Sequence, residues 1–115
     1  MKTRVLQVDP KNVQPEVIQQ ACEALRQGGL VAFPTDTLYA LGANALDPAA
    51  IDRVLTVKGR HHGKPLSVLV PSVEAAADLT AGLPDGVRSL MQALWPGALT
   101  VVVKASPSER PSPLR

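Results

Sequence analysis

Apolar residues along this chain alternate between short continuous runs and stripes of helical spacing, and their order sets the predicted architecture. Arg4-Val5-Leu6-Gln7-Val8 is short and β-prone and is stopped by Asp9-Pro10, so it reads as a first strand. From Pro15 to Gln27 the apolar positions Val17, Ile18, Ala21, Cys22, Ala24 and Leu25 recur at helical spacing, and Gly28-Gly29 supplies the left-handed stop that ends many helices. Leu30-Val31-Ala32-Phe33, closed by Pro34, has the continuous apolar character of a strand buried on both faces. Beyond the segment Thr35 to Ala45, Asp47-Pro48 caps a helix whose inner stripe is Ile51, Val54 and Leu55, and which runs to about Val57. A polar loop from Lys58 to Pro65 leads into a strand, Leu66 to Val70. Ser72 caps a short alanine-rich helix through Leu79, and Pro84 opens another in which Val87, Leu90, Met91 and Leu94 keep helical spacing. Trp95-Pro96-Gly97 breaks that helix, and Leu99 to Lys104 is the last strand.

Strands and helices in alternation predict an α/β fold and leave the strand order open. No internal repeat of solenoid or propeller length is visible. Residues 105–115, ASPSERPSPLR, hold three prolines and three serines, the composition of a linker or tail without packed structure. A length of 115 residues suits one small domain or part of a larger one. Apolar residues make up 45% but aromatic ones only 3%, so the core is expected from Val, Leu, Ile and Ala. The net charge of +2 is too small to argue for nucleic acid, which leaves local clustering to decide. One cysteine, Cys22, excludes an internal disulfide and any cysteine-based metal site; its neighbours make it a small buried apolar residue. The start, MKTRVLQVDP, lacks a signal-peptide apolar run and no stretch approaches a membrane span, so a soluble cytoplasmic protein is the default expectation.

The densest chemical signal is the run from Lys58 to Lys64. Five of its seven positions are basic or potentially basic, Lys58, Arg60, His61, His62 and Lys64, with Gly59 and Gly63 between them. Arginine offers a planar fork and lysine a mobile point charge to phosphate oxygens, so such a loop suits a polyanion, a nucleoside triphosphate being the natural candidate. The alternative is that these cations answer the macrodipole at the C-terminus of the preceding helix, worth about 0.3–1 kcal/mol. Both readings stand on spacing alone. A phosphate-binding P-loop is rejected: Gly59 to Lys64 is one residue short, no Ser or Thr follows the lysine, and a strand comes next. Adjacent His61 and His62 have no third ligand nearby, so a zinc site is not supported and no metal-ligating residue is assigned.

Pro34-Thr35-Asp36-Thr37-Leu38-Tyr39 follows the apolar strand directly, and residues beyond the carboxyl end of a central strand lie where open α/β sheets place ligands. Two hydroxyls, a carboxylate and a phenol could orient a small polar substrate, with Asp36 as a general base. The competing reading is a Thr/Asp turn that satisfies its own backbone. Trp95-Pro96-Gly97 is adequately explained as a packed helix stop.

Taken together, FPTDTLYALGANA, KGR followed six residues later by LSVLV, and WPGALTVVV resemble the threonylcarbamoyladenylate synthase (YrdC-like) family in order and separation from Leu30 to Val103. The resemblance implies a twisted open mixed sheet with flanking helices, with residues 1–104 as the N-terminal part of the domain and its C-terminal part missing. It implies synthesis of threonylcarbamoyl-AMP and pyrophosphate from L-threonine, bicarbonate and ATP. The product would pass to a threonylcarbamoyl-transferase complex that modifies tRNA, with tRNA or other RNA as a further partner. Carried over by position, Thr35 would contact L-threonine, and Lys58, Arg60 and His62 would bind the ATP phosphates. Lys58 and Arg60 would also act catalytically, assisted by Mg²⁺. Three departures matter: Leu69 stands where many relatives have a histidine, Ala40 replaces a common glycine, and the family's further strands with a serine-alanine-asparagine segment have no counterpart. The last of these carries an alternative function, a non-catalytic nucleotide-binding or double-stranded-RNA-binding fragment of the same domain.

Overall fold

In a computed structural model, which describes residues 2–59 and 66–104, α1 spans Pro15–Arg26 and starts where a proline is best tolerated, at the first helical position. It ends at the expected glycines: Gly28, at φ 82°, donates to the Leu25 carbonyl at 3.1 Å and Gly29 to that of Ala24 at 2.8 Å, a Schellman arrangement. The apolar stripe of α1 is only half covered. None of its residues is fully buried, Ile18 is half exposed, and Cys22 is half-buried rather than a core residue.

The next two elements are β1 (Val31–Pro34) and β2 (Tyr39–Gly42), an antiparallel hairpin in the register Val31↔Gly42, Ala32↔Leu41, Phe33↔Ala40 and Pro34↔Tyr39. Two expectations are corrected here. β2 lies inside the segment Thr35 to Ala45, to which no strand is assigned above, and β1 is not buried on both faces: Val31 and Phe33 are half-buried while Ala32 and Pro34 are exposed. Among the described residues β1 has one neighbouring strand, so its alternate side chains meet solvent. At Gly42 a β-carbon would sit 2.8 Å from Cε1 of Phe33, so the ring lies close against the glycine backbone and leaves no room for a side chain.

Helix α2 (Pro48–Lys58) is capped as anticipated, with the Asp47 carboxylate accepting from the main-chain N–H of Ala49 at 3.1 Å and Ala50 at 3.4 Å. Ala50, Ile51, Val54 and Leu55 form its buried face. Replacing Asp47 by alanine is expected to cost about 1 kcal/mol, seen as a lower urea midpoint at unchanged m, with asparagine restoring most of the loss. Helices α3 (Val73–Asp78) and α4 (Asp85–Leu94) pack on each other, α3 capped by the Ser72 hydroxyl accepting from Ala75 N–H at 3.1 Å. Beyond α4 the Trp95 indole N–H donates to the Leu99 carbonyl at 3.0 Å, which fixes the turn that breaks the helix.

The fully buried apolar residues among those described are Ala50, Ile51, Val54, Leu55, Ala76 and Met91. The aliphatic composition is as expected except for Met91, the most buried large side chain at 1% exposure. The class is α/β, a small antiparallel sheet with helices. Residues 4–8, 66–70 and 99–104, expected as strands, form no ladder among the described residues; the Lys104 carbonyl accepts from the Ala81 N–H at 3.0 Å. β-propensity measures how well side chains fit a pleated, half-buried surface, and a run becomes a strand only when a neighbouring backbone takes its hydrogen bonds. No helix among the described residues is long and apolar enough to cross a membrane.

Candidate functional site

The threonine-rich segment is the turn of the β1–β2 hairpin, and Thr35 organises it. Its main-chain N–H donates to the Leu38 carbonyl at 3.1 Å. Its hydroxyl donates to the same carbonyl and accepts from the N–H groups of Thr37 at 3.3 Å and Leu38 at 3.2 Å. A hydroxyl has one proton and two lone pairs, so this inventory is filled within the turn. The self-satisfying turn is thus the arrangement the chain adopts. Asp36 is exposed, and Leu38 and Tyr39 project outward at 79% and 78% exposure. Replacing Thr35 by valine is expected to speed amide exchange at Thr37 and Leu38 several-fold, in line with about 1 kcal/mol per lost hydrogen bond, while serine preserves the protection.

The second predicted element begins where α2 ends. Lys58 is the last residue of that helix and is exposed, with no ion pair among the described residues. Gly59 then turns the chain in the left-handed conformation at φ 65° and donates to the Thr56 carbonyl at 3.1 Å, a geometry that a side chain at this position would strain. Lys58 therefore sits at the negative end of the α2 macrodipole, as the structural reading of the basic run required. Arg60 and His62, like His61 and Lys64, lie outside the described residues.

What holds these two elements relative to each other was not read from the sequence. The Arg53 guanidinium, on α2, donates to the carbonyl of Gly28, ahead of β1, across 25 positions of chain. The Asp47 carboxylate also faces this corner, within 3.1 Å of where a β-carbon on Gly28 would stand. Arg53 thereby ties the helix carrying Lys58 to the segment that leads into the Thr35 hairpin. Arg53 lies outside the stripe of Ile51, Val54 and Leu55, and no local signal identifies a main-chain acceptor so far away.

A large apolar groove of about 760 Å³ lies elsewhere, lined by residues 66–73, by α3 and α4, and by residues 95–103. Thr35 and Lys58 are not among its lining residues. No group of three or more His, Cys, Asp or Glu side chains able to hold a metal occurs among the described residues.

Residues 23–114 match the Sua5/yciO/yrdC family model, whose description reads Telomere recombination. A putative threonylcarbamoyl-AMP synthase from Mycobacterium leprae (strain TN) is 47% identical over 91 residues, which cover 79% of this chain and 41% of that protein. The threonylcarbamoyl-AMP synthase of Bacillus subtilis (strain 168) is 41% identical over 90 residues, 78% of this chain and 26% of that protein. Among solved structures, P. abyssi Sua5 complexed with L-threonine superposes with a TM-score of 0.82 at 37% identity, covering 89% of this chain and 30% of that one. The chain thus spans about two-fifths of the length of the mycobacterial relative and less of the other two.

Proposed function

The chain belongs to the Sua5/YciO/YrdC family, and on that premise we propose that it carries the threonine- and ATP-binding elements of a threonylcarbamoyl-AMP synthase. The observation that carries this reading is the joint presence, on one scaffold, of the Thr35 hairpin and the cationic end of α2, in a chain 47% identical to a relative bearing that name. The L-threonine in the P. abyssi complex supports the amino-acid substrate.

In the proposed reaction the threonine amine combines with bicarbonate to give a carbamate, with loss of water. A carbamate oxygen then attacks the α-phosphorus of ATP, and the bond from that phosphorus to the β-phosphate bridging oxygen breaks, releasing pyrophosphate. Two anionic groups must approach each other, so cations placed beforehand lower the barrier. Lys58 and Arg60 are assigned that work, with His62 on the phosphates and Thr35 toward L-threonine. No covalent protein intermediate is required, and positioning can supply much of the rate. The described residues offer no carboxylate cage for Mg²⁺, so a magnesium ion would arrive as part of the substrate, held by the triphosphate and water. The threonylcarbamoyl-AMP formed is a mixed anhydride, suited to transfer onto an amine of a tRNA base by a partner complex.

The test is pyrophosphate release by the purified chain with ATP, L-threonine and bicarbonate. Release that requires all three is the expected result, and release indifferent to threonine or bicarbonate would overturn the reading. Nucleotide binding without turnover, weakened by Lys58→Ala, would instead select the non-catalytic binding role.

A further inference from the structure

Gly28 is the one buried residue of the connection between α1 and β1, and a buried carbonyl needs a donor. Among the described residues that donor is the guanidinium of Arg53, an otherwise exposed residue of α2. The Asp47 carboxylate, which caps the same helix, closes in from the other side. At φ 82°, Gly28 would carry a β-carbon 3.0 Å from Arg53 Nη1 and 3.1 Å from Asp47 Oδ2, so a bare backbone here is what lets both side chains approach. The Arg53 bond joins elements that have no broad packed face between them: β1 packs on β2 and on α1, and α2 makes no comparable contact with either strand. Each element carries one half of the candidate site. β1 runs from this corner into the Thr35 turn, and Lys58 lies about 7.5 Å beyond Arg53 along the α2 axis.

We propose that Arg53 is a positioning residue: its bond to the Gly28 carbonyl fixes the separation of the Thr35 turn from Lys58, and with it the alignment of the threonine carbamate on the α-phosphate of ATP. Arg53 acts through the two segments it joins and needs no contact with either substrate. Placement of this kind has a steep effect, because a displacement of about 1 Å between reacting groups can cost about 10²-fold in rate. Arginine suits the task, since its planar fork is rigid and stays charged at every working pH. The effect on turnover rests on the synthase reading above, whereas the effect on the separation rests on the geometry alone.

The experiment places nitroxide labels on Leu38→Cys and Val57→Cys, both largely exposed positions, in a Cys22→Ser chain, and reads the distance between them by pulsed dipolar electron paramagnetic resonance. Arg53→Met keeps the unbranched side chain and the helix propensity but has no donor. The distance distribution is expected to broaden or shift in that variant, and Arg53→Lys, which restores a charged donor, is expected to recover most of its sharpness. Arg53→Gln, two atoms shorter, reads the same loss if circular dichroism shows that Arg53→Met does not fold. In the unlabelled chain, Arg53→Met is expected to lower kcat about 10²-fold while ATP and L-threonine, each added alone, bind within about twofold of the unsubstituted chain. A merely structural role would weaken the binding of a single substrate along with turnover, and that result overturns the proposal. A distance distribution that is the same with and without the Arg53 donor overturns it as well. If the unsubstituted chain releases no pyrophosphate, the reaction reading fails, and the distance comparison still decides on Arg53.

Discussion

Replacing Lys58 by alanine is expected to lower threonine-dependent pyrophosphate release about 10²- to 10³-fold, the usual loss when one preplaced group facing a developing charge is removed. The thermal unfolding curve should move little, because the side chain is exposed and takes no ion pair among the described residues. Arg60→Ala should act in the same direction, and the double variant should lose less than the product of the two, since in the proposed reaction both cations screen the same approach of anions. The two readings of the basic run separate cleanly in this measurement. A lysine that only answers the α2 macrodipole would cost about 0.3–1 kcal/mol of stability on removal and nothing in turnover. Lysine replaced by arginine keeps the charge, so a large loss in Lys58→Arg would indicate that the compact ammonium, and not charge alone, is needed.

The second large effect concerns stability. Met91 is 1% exposed and faces a core of only a few fully buried residues, so Met91→Ala is expected to destabilise the chain by about 2–5 kcal/mol. Urea unfolding followed by circular dichroism measures it. A loss of that size is a large share of the stability available to a domain this small, and the cooperative transition should become broad or vanish at 37 °C. Met91→Leu nearly conserves volume and should cost less than about 1.5 kcal/mol.

The helices were legible because their signals are local. Pro15, the Asp47-Pro48 cap, the Ser72 cap and the glycines at 28 and 59 each fix a terminus through hydrogen bonds only a few residues away. The sheet was legible only in part, because pairing is decided by partners distant in sequence. Leu66 to Val70 and Leu99 to Val103 are rich in β-prone residues and still lack a ladder among the described residues. Conversely, Tyr39 to Gly42 is short and ends in glycine, so it does not look like a strand, yet its backbone pairs with β1 and Phe33 lies against Gly42. At the candidate site, the sequence singles out the Thr35 and Lys58 segments but not their geometry. The Thr35 turn was weighed as a ligand loop and as a self-bonded turn, and the hydrogen bonds favour the second in the free chain. The Arg53 link to Gly28 left no trace in spacing, since its acceptor is a main-chain carbonyl.

The filled inventory of the Thr35 hydroxyl has a consequence for affinity. Any ligand that takes a hydrogen bond from this oxygen must first win its proton from the Leu38 carbonyl, so the competent turn is a minor conformer of the free chain. The apparent dissociation constant is then the intrinsic one divided by the fraction of chains with the turn open. In the role proposed for Thr35, occupancy by L-threonine and loosening of the hairpin become two sides of one equilibrium, and whatever rigidifies the tip of β1 and β2 raises the concentration at which the ligand is captured.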